Sequence, residues 1–223
     1  MNFFGHCVLA SWRRTDAGFL LGAMLPDLAN MMGGVGLQPH HPAVNQGVAY
    51  HHFTDRIFHR GPSFLRLQES ARGWLKAAGV RRGPTLAVAH VGVELLLDAE
   101  LSEDPEYREH YMAALKFGRS TASDWLQPRP LGFALRALCR HLERRAPFLT
   151  PRSAEEVTSR LQRILNRRPA LALRVEELTL VENWVQRFRP LIRQQLPEWT
   201  WELRRQHEAE SIDLGVQRSS SHG

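Results

Sequence analysis

An all-α fold is predicted by three features of this chain. Apolar residues recur every three or four positions along most of it, no segment sustains the apolar/polar alternation of a half-buried strand, and prolines, glycines and capping residues punctuate the apolar runs. At 223 residues, 43% of them hydrophobic, the chain is long enough for one sizeable core. The expectation is a compact multi-helix domain over residues 1–205 and a polar, disordered tail over 206–223, with no internal repeat.

Taken in order, residues 2–12 are apolar around His6 and suit a first helix or an extended entry segment. A second apolar run, 17–25, meets Leu25-Pro26-Asp27, where proline predicts a change of direction that leaves Asp27 at an element's end. Residues 33–47 have the composition of a loop long enough to be functional or mobile, with His40 and His41 as loop residues. A helix through His51–His59 follows, then Gly61-Pro62-Ser63, then Phe64, Leu67, Ala71, Trp74 and Leu75 at helical spacing. Gly79 to Pro84 turns the chain into a helix at about 85–101. Asp104-Pro105-Glu106 is a helix start, with Asp as N-cap and Pro at the first helical position, ahead of Tyr107, Tyr111, Ala114 and Leu115. Pro128 and Pro130 break the chain before an amphipathic helix carrying Leu131, Leu135, Leu138 and Leu142. Ser153-Ala154-Glu155-Glu156 has the form of a capping box, with Val157, Leu161, Ile164 and Leu165 behind it. A last long helix is expected at about 170–195.

The chain carries 29 Lys and Arg against 23 Asp and Glu, for a net charge of +6. The basic residues are mostly arginines scattered among Glu and Leu, which favours acidic or phosphorylated partners; a nucleic-acid partner is not expected. Cys7 and Cys139 lie far apart and form no C-x-x-C, so neither a disulfide framework nor a thiolate zinc cluster is indicated, and a cytoplasmic location is the default. Arg13-Arg14 and the run Ala17 to Leu25 imitate a signal sequence, but the run is too short for a membrane span and enters Pro26-Asp27 without a small-residue cleavage site.

Chemistry concentrates in two runs. His51, Asp55 and His59 recur at i, i+4 and i+8, and so do His90, Glu94 and Asp98; on α-helices each set forms one polar stripe. A helix rises ~1.5 Å per residue, so side chains four apart can converge on one ion while those eight apart are ~12 Å apart at the backbone. One ion would therefore take His51 with Asp55 and His90 with Glu94, leaving His59 and Asp98 for proton transfer, a second ion or substrate. Mixed imidazole and carboxylate ligands suit manganese, iron or zinc better than calcium, and the lack of thiolates favours an open catalytic site. An ion so held lowers the pKa of a bound water and holds a phosphoryl oxygen, which makes phosphoester hydrolysis the natural chemistry.

The bland readings differ by residue. His110, His141 and His207 read as structural histidines, and His52, about 100° round the helix from His51, as a surface or supporting residue. Asp98 with Glu100, Glu103 and Asp104 also fits a solvated helix end. His90 and Glu94 stand out because they interrupt the apolar run Leu86 to Leu97, where an unpaired charge is costly.

Met1-Asn2-Phe3-Phe4-Gly5-His6 resembles the M-N-F-L-A-H opening of the acyl carrier protein phosphodiesterases, a family similar to the HD-type metal-dependent phosphohydrolases. Gly18 to Asp27, Gly-Phe-Leu-Leu-Gly-Ala-Met-Leu-Pro-Asp, resembles its G-N-x-L-x-D segment, and Gly47 to Asp55 resembles its G-I-x-x-H-x-x-I-D motif. Arg167-Arg168-Pro169 resembles an R-R-P in the family's last third. The resemblance implies an all-helical, manganese-dependent hydrolase that releases phosphopantetheine from holo acyl carrier protein, with Asp27, His51, Asp55 and His6 as site residues. Where the family has D-x-x-x-D-H in a middle helix, this chain has His90-x-x-x-Glu94-Leu95, which keeps competent ligands but loosens the substrate assignment. The alternatives are a hydrolase of a nucleotide or phospholipid-type phosphoester, and a non-catalytic helical binding protein in which the stripes are a buried polar network.

Overall fold

The computed structural model describes residues 2–33, 36–145 and 153–219, with side chains as far as Ala209. Met1 of the opening motif, residues 34–35 of the 33–47 loop and the last four tail residues lie outside them. The fold is all-α. Its helices are α1 (Phe3–Ser11), α2 (Ala17–Met31), α3 (Pro42–Arg60), α4 (Pro62–Ala77), α5 (Arg82–Ala87), α6 (Val93–Leu101), α7 (Pro105–Trp125), α8 (Arg129–Arg144), α9 (Ala154–Leu165) and α10 (Val175–Ser219). A π-helical turn, Val88–Gly92, joins α5 to α6, and a 3-10 turn, Pro169–Leu171, precedes α10. Two-residue strands β1 (Gln38–Pro39) and β2 (Leu126–Gln127) pair antiparallel, Gln38 opposite Gln127. Both glutamines precede a proline, which disfavours helical backbone and leaves them extended.

Several expectations are corrected. Proline does not end α2, which continues through Pro26 to Met31 and places Asp27 inside the helix. The proline removes only the donor that would serve the Gly22 carbonyl. The loop ends at His41, because Pro42 has the fixed φ and missing N–H that suit a first helical position; Pro42 to Gly47 therefore belong to α3. Asp98 and Glu100 are buried, unlike the exposed Glu103 and Asp104, so the solvated-end reading holds only for the latter pair. The final helix starts at Val175, after the 3-10 turn, and its backbone runs through Pro190 and Pro197 and on across residues 206–219, which read from sequence as a tail. The predicted starts of α7 and α9 are as expected. Asp104 accepts from the Glu106 amide at 2.9 Å, and Ser153 and Glu156 make the reciprocal bonds of a capping box at 3.1 and 3.3 Å.

The chain divides into two compact units, Met1–Asp55 with Glu94–Val157 and Arg56–Val93 with Thr158–Gly223. The first is built around α1, in which every residue from Phe3 to Ala10 is buried. Phe3 and Phe4 pack on Tyr111 of α7, with ring centroids 6.2 and 5.4 Å away. Cys7 and Cys139 are free and buried, and burial pushes both thiols up, Cys139 to about 12, which keeps them inert. His41 packs against Phe117 and Trp125 at 5.3 and 6.3 Å, a structural place the loop reading did not anticipate. Helices α2 and α3 meet backbone to backbone: a Cβ on Gly22 would run into the Val44 carbonyl and stand 2.9 Å from the Gly47 Cα, and one on Gly47 would run into the Phe19 carbonyl.

In the second unit Phe58, Phe64 and Trp199 form an aromatic core, with centroids 4.3 Å apart for Phe58–Phe64 and 5.8 Å for Phe58–Trp199. Glu202 of α10 accepts from the Ser63 amide at 3.1 Å and from the Ser63 hydroxyl, capping the start of α4. Glu177 accepts from the Arg81 amide, Nε and Nη2 at 2.9, 3.0 and 2.7 Å and from the Arg174 amide at 2.8 Å. Burial pushes this carboxyl up, but those donors outweigh it and hold it at about 2, below its ordinary 4.5.

Two stability measurements check these contacts. Gly22→Ala is expected to cost about 2–3 kcal/mol in urea unfolding, because the obstacle is backbone and cannot swing aside. Glu177→Gln tests the clamp. A depressed carboxyl contributes stability fully above its unfolded value and loses it as pH falls through its folded one. The wild-type advantage should therefore be full above pH 4.5 and fade towards pH 2.

Candidate metal centre

The first unit brings His6, Asp27, His51 and Asp55 together. His6 comes from the buried α1, Asp27 from α2, and His51 and Asp55 from successive turns of α3. One ligand atom from each of His6, Asp27 and His51 lies within 4.8 Å of the other two. The His6 Nε2 is 4.0 Å from Asp27 Oδ2 and 3.7 Å from Asp55 Oδ1, and the two imidazole centroids are 3.9 Å apart.

The hydrogen-bond network assigns both tautomers. Thr54 has one hydroxyl proton and donates it to the His51 carbonyl at 3.0 Å, so towards His6 Nδ1, 3.1 Å away, it acts as acceptor. The neutral His6 ring thus carries its proton on Nδ1 and directs a lone pair on Nε2 at the carboxylates. His51 Nδ1 donates to the Ala23 carbonyl at 2.8 Å, which leaves its Nε2 as the ligand nitrogen. Metal-binding histidines are typically held this way, by the nitrogen that does not touch the ion. The sequence gives little sign of Thr54 and none of Ala23; a threonine three residues after a histidine on a helix is the one visible hint.

Charge completes the picture. Asp27 Oδ2 is buried and has no hydrogen-bond partner among the described residues. Burial, followed by the negative charges of Glu94 and Asp55, pushes the Asp27 carboxyl from its ordinary 3.8 up to about 7. Burial likewise pushes the His51 imidazolium below its ordinary 6.5, so that ring is neutral and able to ligate at neutral pH. Separations of 3.7 and 4.0 Å are too long for hydrogen bonds. They fall within the ~4.2 Å that two donors, each ~2.1 Å from a common ion, can span. Residues and chemistry therefore fit a divalent cation.

The remaining sequence candidates divide between the units. Glu94 and Asp98 are buried in the first. His59 and His90 belong to the second, with ring centroids 4.9 Å apart and Phe64 5.4 and 5.7 Å away. Arg72 donates to Gln68 Oε1 at 2.6 Å, which turns the Gln68 amide NH2 towards His90 Nδ1 at 2.7 Å. Neutral His90 accordingly carries its proton on Nε2 and acts there as a donor. The turn Val88–Gly92 that carries His90 is π-helical, with hydrogen bonds that run i to i+5, where the spacing predicts α-helix. His52 is exposed, as its angle from His51 requires. His6, a site residue by the resemblance, offers one of the grouped ligand atoms.

No family model, curated protein or solved structure matches this chain.

Calorimetric titration with Mn2+ checks the site. Binding is expected to release close to one proton well below pH 7, where Asp27 is protonated in the free protein, and fewer at pH 8.5. Asp27→Asn should abolish the pH dependence, and Thr54→Val should weaken binding by roughly 10–100-fold by freeing the His6 ring. Without metal, stability should fall as pH rises from 3.8 to about 7, because the folded Asp27 keeps a proton the unfolded chain has lost; Asp27→Asn should remove that slope.

Proposed function

We propose that the protein is a divalent-metal-dependent hydrolase of phosphoric esters. This reading rests on the buried Asp27 oxygen, without a hydrogen-bond partner among the described residues and set at ligand distance from two histidines whose far nitrogens are already engaged. His6, Asp27 and His51 hold the ion, with manganese favoured by the resemblance to the acyl carrier protein phosphodiesterases and iron or zinc compatible with the donors. When bound, the ion supplies Lewis acidity towards a phosphoryl oxygen and acidifies water.

The chain's own residues divide the remaining work. His6 is wholly buried and Asp27 half-buried, whereas the Asp55 side chain is 47% exposed, so Asp55 marks the side that water and substrate reach. It stands 3.7 Å from His6 Nε2 and is placed to accept the proton of an attacking water. Glu94 adds negative charge and keeps the locus selective for a cation. Asp55 takes the proton-carrier role here because it stands beside the group formed by His6, Asp27 and His51, whereas His59 and Asp98 are candidates for that role by helical spacing.

The phosphopantetheine arm of holo acyl carrier protein is the substrate proposed first, because Asp27, His51 and Asp55 are the residues on which the motif resemblance rests. A second reading, a non-catalytic binding protein, takes the same contacts as a buried ion-pair network with His6 protonated. Incubating Mn2+-loaded protein with holo acyl carrier protein and with bis(p-nitrophenyl) phosphate separates the two. Metal-dependent release of phosphopantetheine by mass, or of nitrophenol, is expected, falling by about two orders of magnitude or more in Asp27→Asn and His51→Ala. A metal-loaded protein that turns over neither substrate contradicts the hydrolase reading, and a wild type that binds no metal contradicts it outright.

A further inference from the structure

The second unit contains a cleft of about 640 Å3, within the range of small-molecule sites. Its walls are aliphatic, with Leu86, Val91, Ile164 and Leu171 prominent, and three arginines, Arg72, Arg167 and Arg168, line it as well. The cleft is built by a close approach. A Cβ on Gly83 would come within 2.8 Å of the Ala170 carbonyl, so only glycine lets the start of α5 rest on the 3-10 turn. Arg81 ties the same segment down by donating to the Ala172 carbonyl at 2.6 Å, and the Arg168 amide bonds the Leu165 carbonyl at 3.0 Å. The turn that presents Arg167 and Arg168 is thus fixed.

The lining selects its ligand by exclusion. It contains no carboxylate for a cation, and apart from the His90 imidazole it has no aromatic ring on which a nucleobase would stack. Arg167 and Arg168 are exposed and form no ion pair among the described residues. Arg72 donates one Nη2 bond to Gln68 and pairs at 3.7 Å with the well-exposed Glu69, while its shielded Nε has no acceptor among the described residues. The end of α9 accounts for a cation close to its last carbonyls, but not for Arg72, which comes from α4. Positive charge beside aliphatic walls matches an anion with an aliphatic chain.

We propose that this cleft binds an amphipathic anion, its carboxylate or phosphate held by Arg72, Arg167 and Arg168 and its alkyl chain lying on Leu86, Val91, Ile164 and Leu171. The inference does not rest on the metal centre, which uses none of these residues. Its test is calorimetric titration of the full chain with decanoate and decyl phosphate below their micellar concentrations, and with decanol and inorganic phosphate as the two halves of the ligand. Saturable binding of one equivalent of either amphiphile is expected, the tighter of the two identifying the head group, with decanol and inorganic phosphate at least tenfold weaker. The double variant Arg167→Glu/Arg168→Glu and the single variant Leu86→Glu, all at exposed positions, should each weaken that binding at least tenfold while Mn2+ binding is unchanged. Absence of saturable binding, equally tight binding of decanol, or unchanged affinity in the double variant would overturn the proposal.

Discussion

Helices α2 and α3 touch through Gly22 and Gly47, and with no side chain between them the two backbones run close enough for His51, one turn beyond Gly47, to bond the Ala23 carbonyl directly. That bond fixes which nitrogen His51 presents. On the next residues of the same helix, Thr54 fixes His6 and Asp55 supplies a carboxylate, while α2 brings Asp27. A larger residue at either glycine would move the helix that carries three of these groups. The candidate centre is therefore a consequence of one helix-helix distance as much as of its ligands.

Electrostatics make the same locus costly without a cation. Asp27 is half-buried; desolvation, with the negative charges of Glu94 and Asp55 adding to it, raises its carboxyl to about 7, and its buried Oδ2 lacks a hydrogen-bond partner among the described residues. Folding that burdens a carboxyl in this way spends stability, and sites that do so are more often functional than structural. The His51 ring, neutral through burial, turns its proton to the Ala23 carbonyl, and His6 Nδ1 meets the Thr54 hydroxyl, which leaves each ring its Nε2 for a ligand role. The cleft of the second unit shows the opposite imbalance, with three arginines beside an aliphatic surface. Each unit thus carries its own excess of charge, and in each the chemistry of the expected ligand follows from its sign.

Much of the first unit was legible because its signals are local. Spacing alone puts His51 and Asp55 on one face of α3, and capping residues mark the starts of α7 and α9. Asp27 and His6 were visible only through motif resemblance, since nothing in spacing relates them to His51. The rest was hidden for identifiable reasons. A proline is a poor guide where it removes a single hydrogen bond, so α2 passes through Pro26. A π turn has no compositional signature, so the segment Val88–Gly92 around His90 reads from sequence as regular α-helix. Tautomers depend on partners such as Gln68, Thr54 and the Ala23 carbonyl, which tertiary structure alone brings to the rings.

Pulsed electron paramagnetic resonance of the Mn2+-loaded protein, with histidine nitrogens labelled by 15N, tests whether His6 and His51 ligate the ion. Coupling to two directly bound histidine nitrogens is expected, one lost in His6→Ala and the other in His51→Ala. A spectrum without histidine coupling, or one whose histidine signals survive both substitutions, would contradict that ligation.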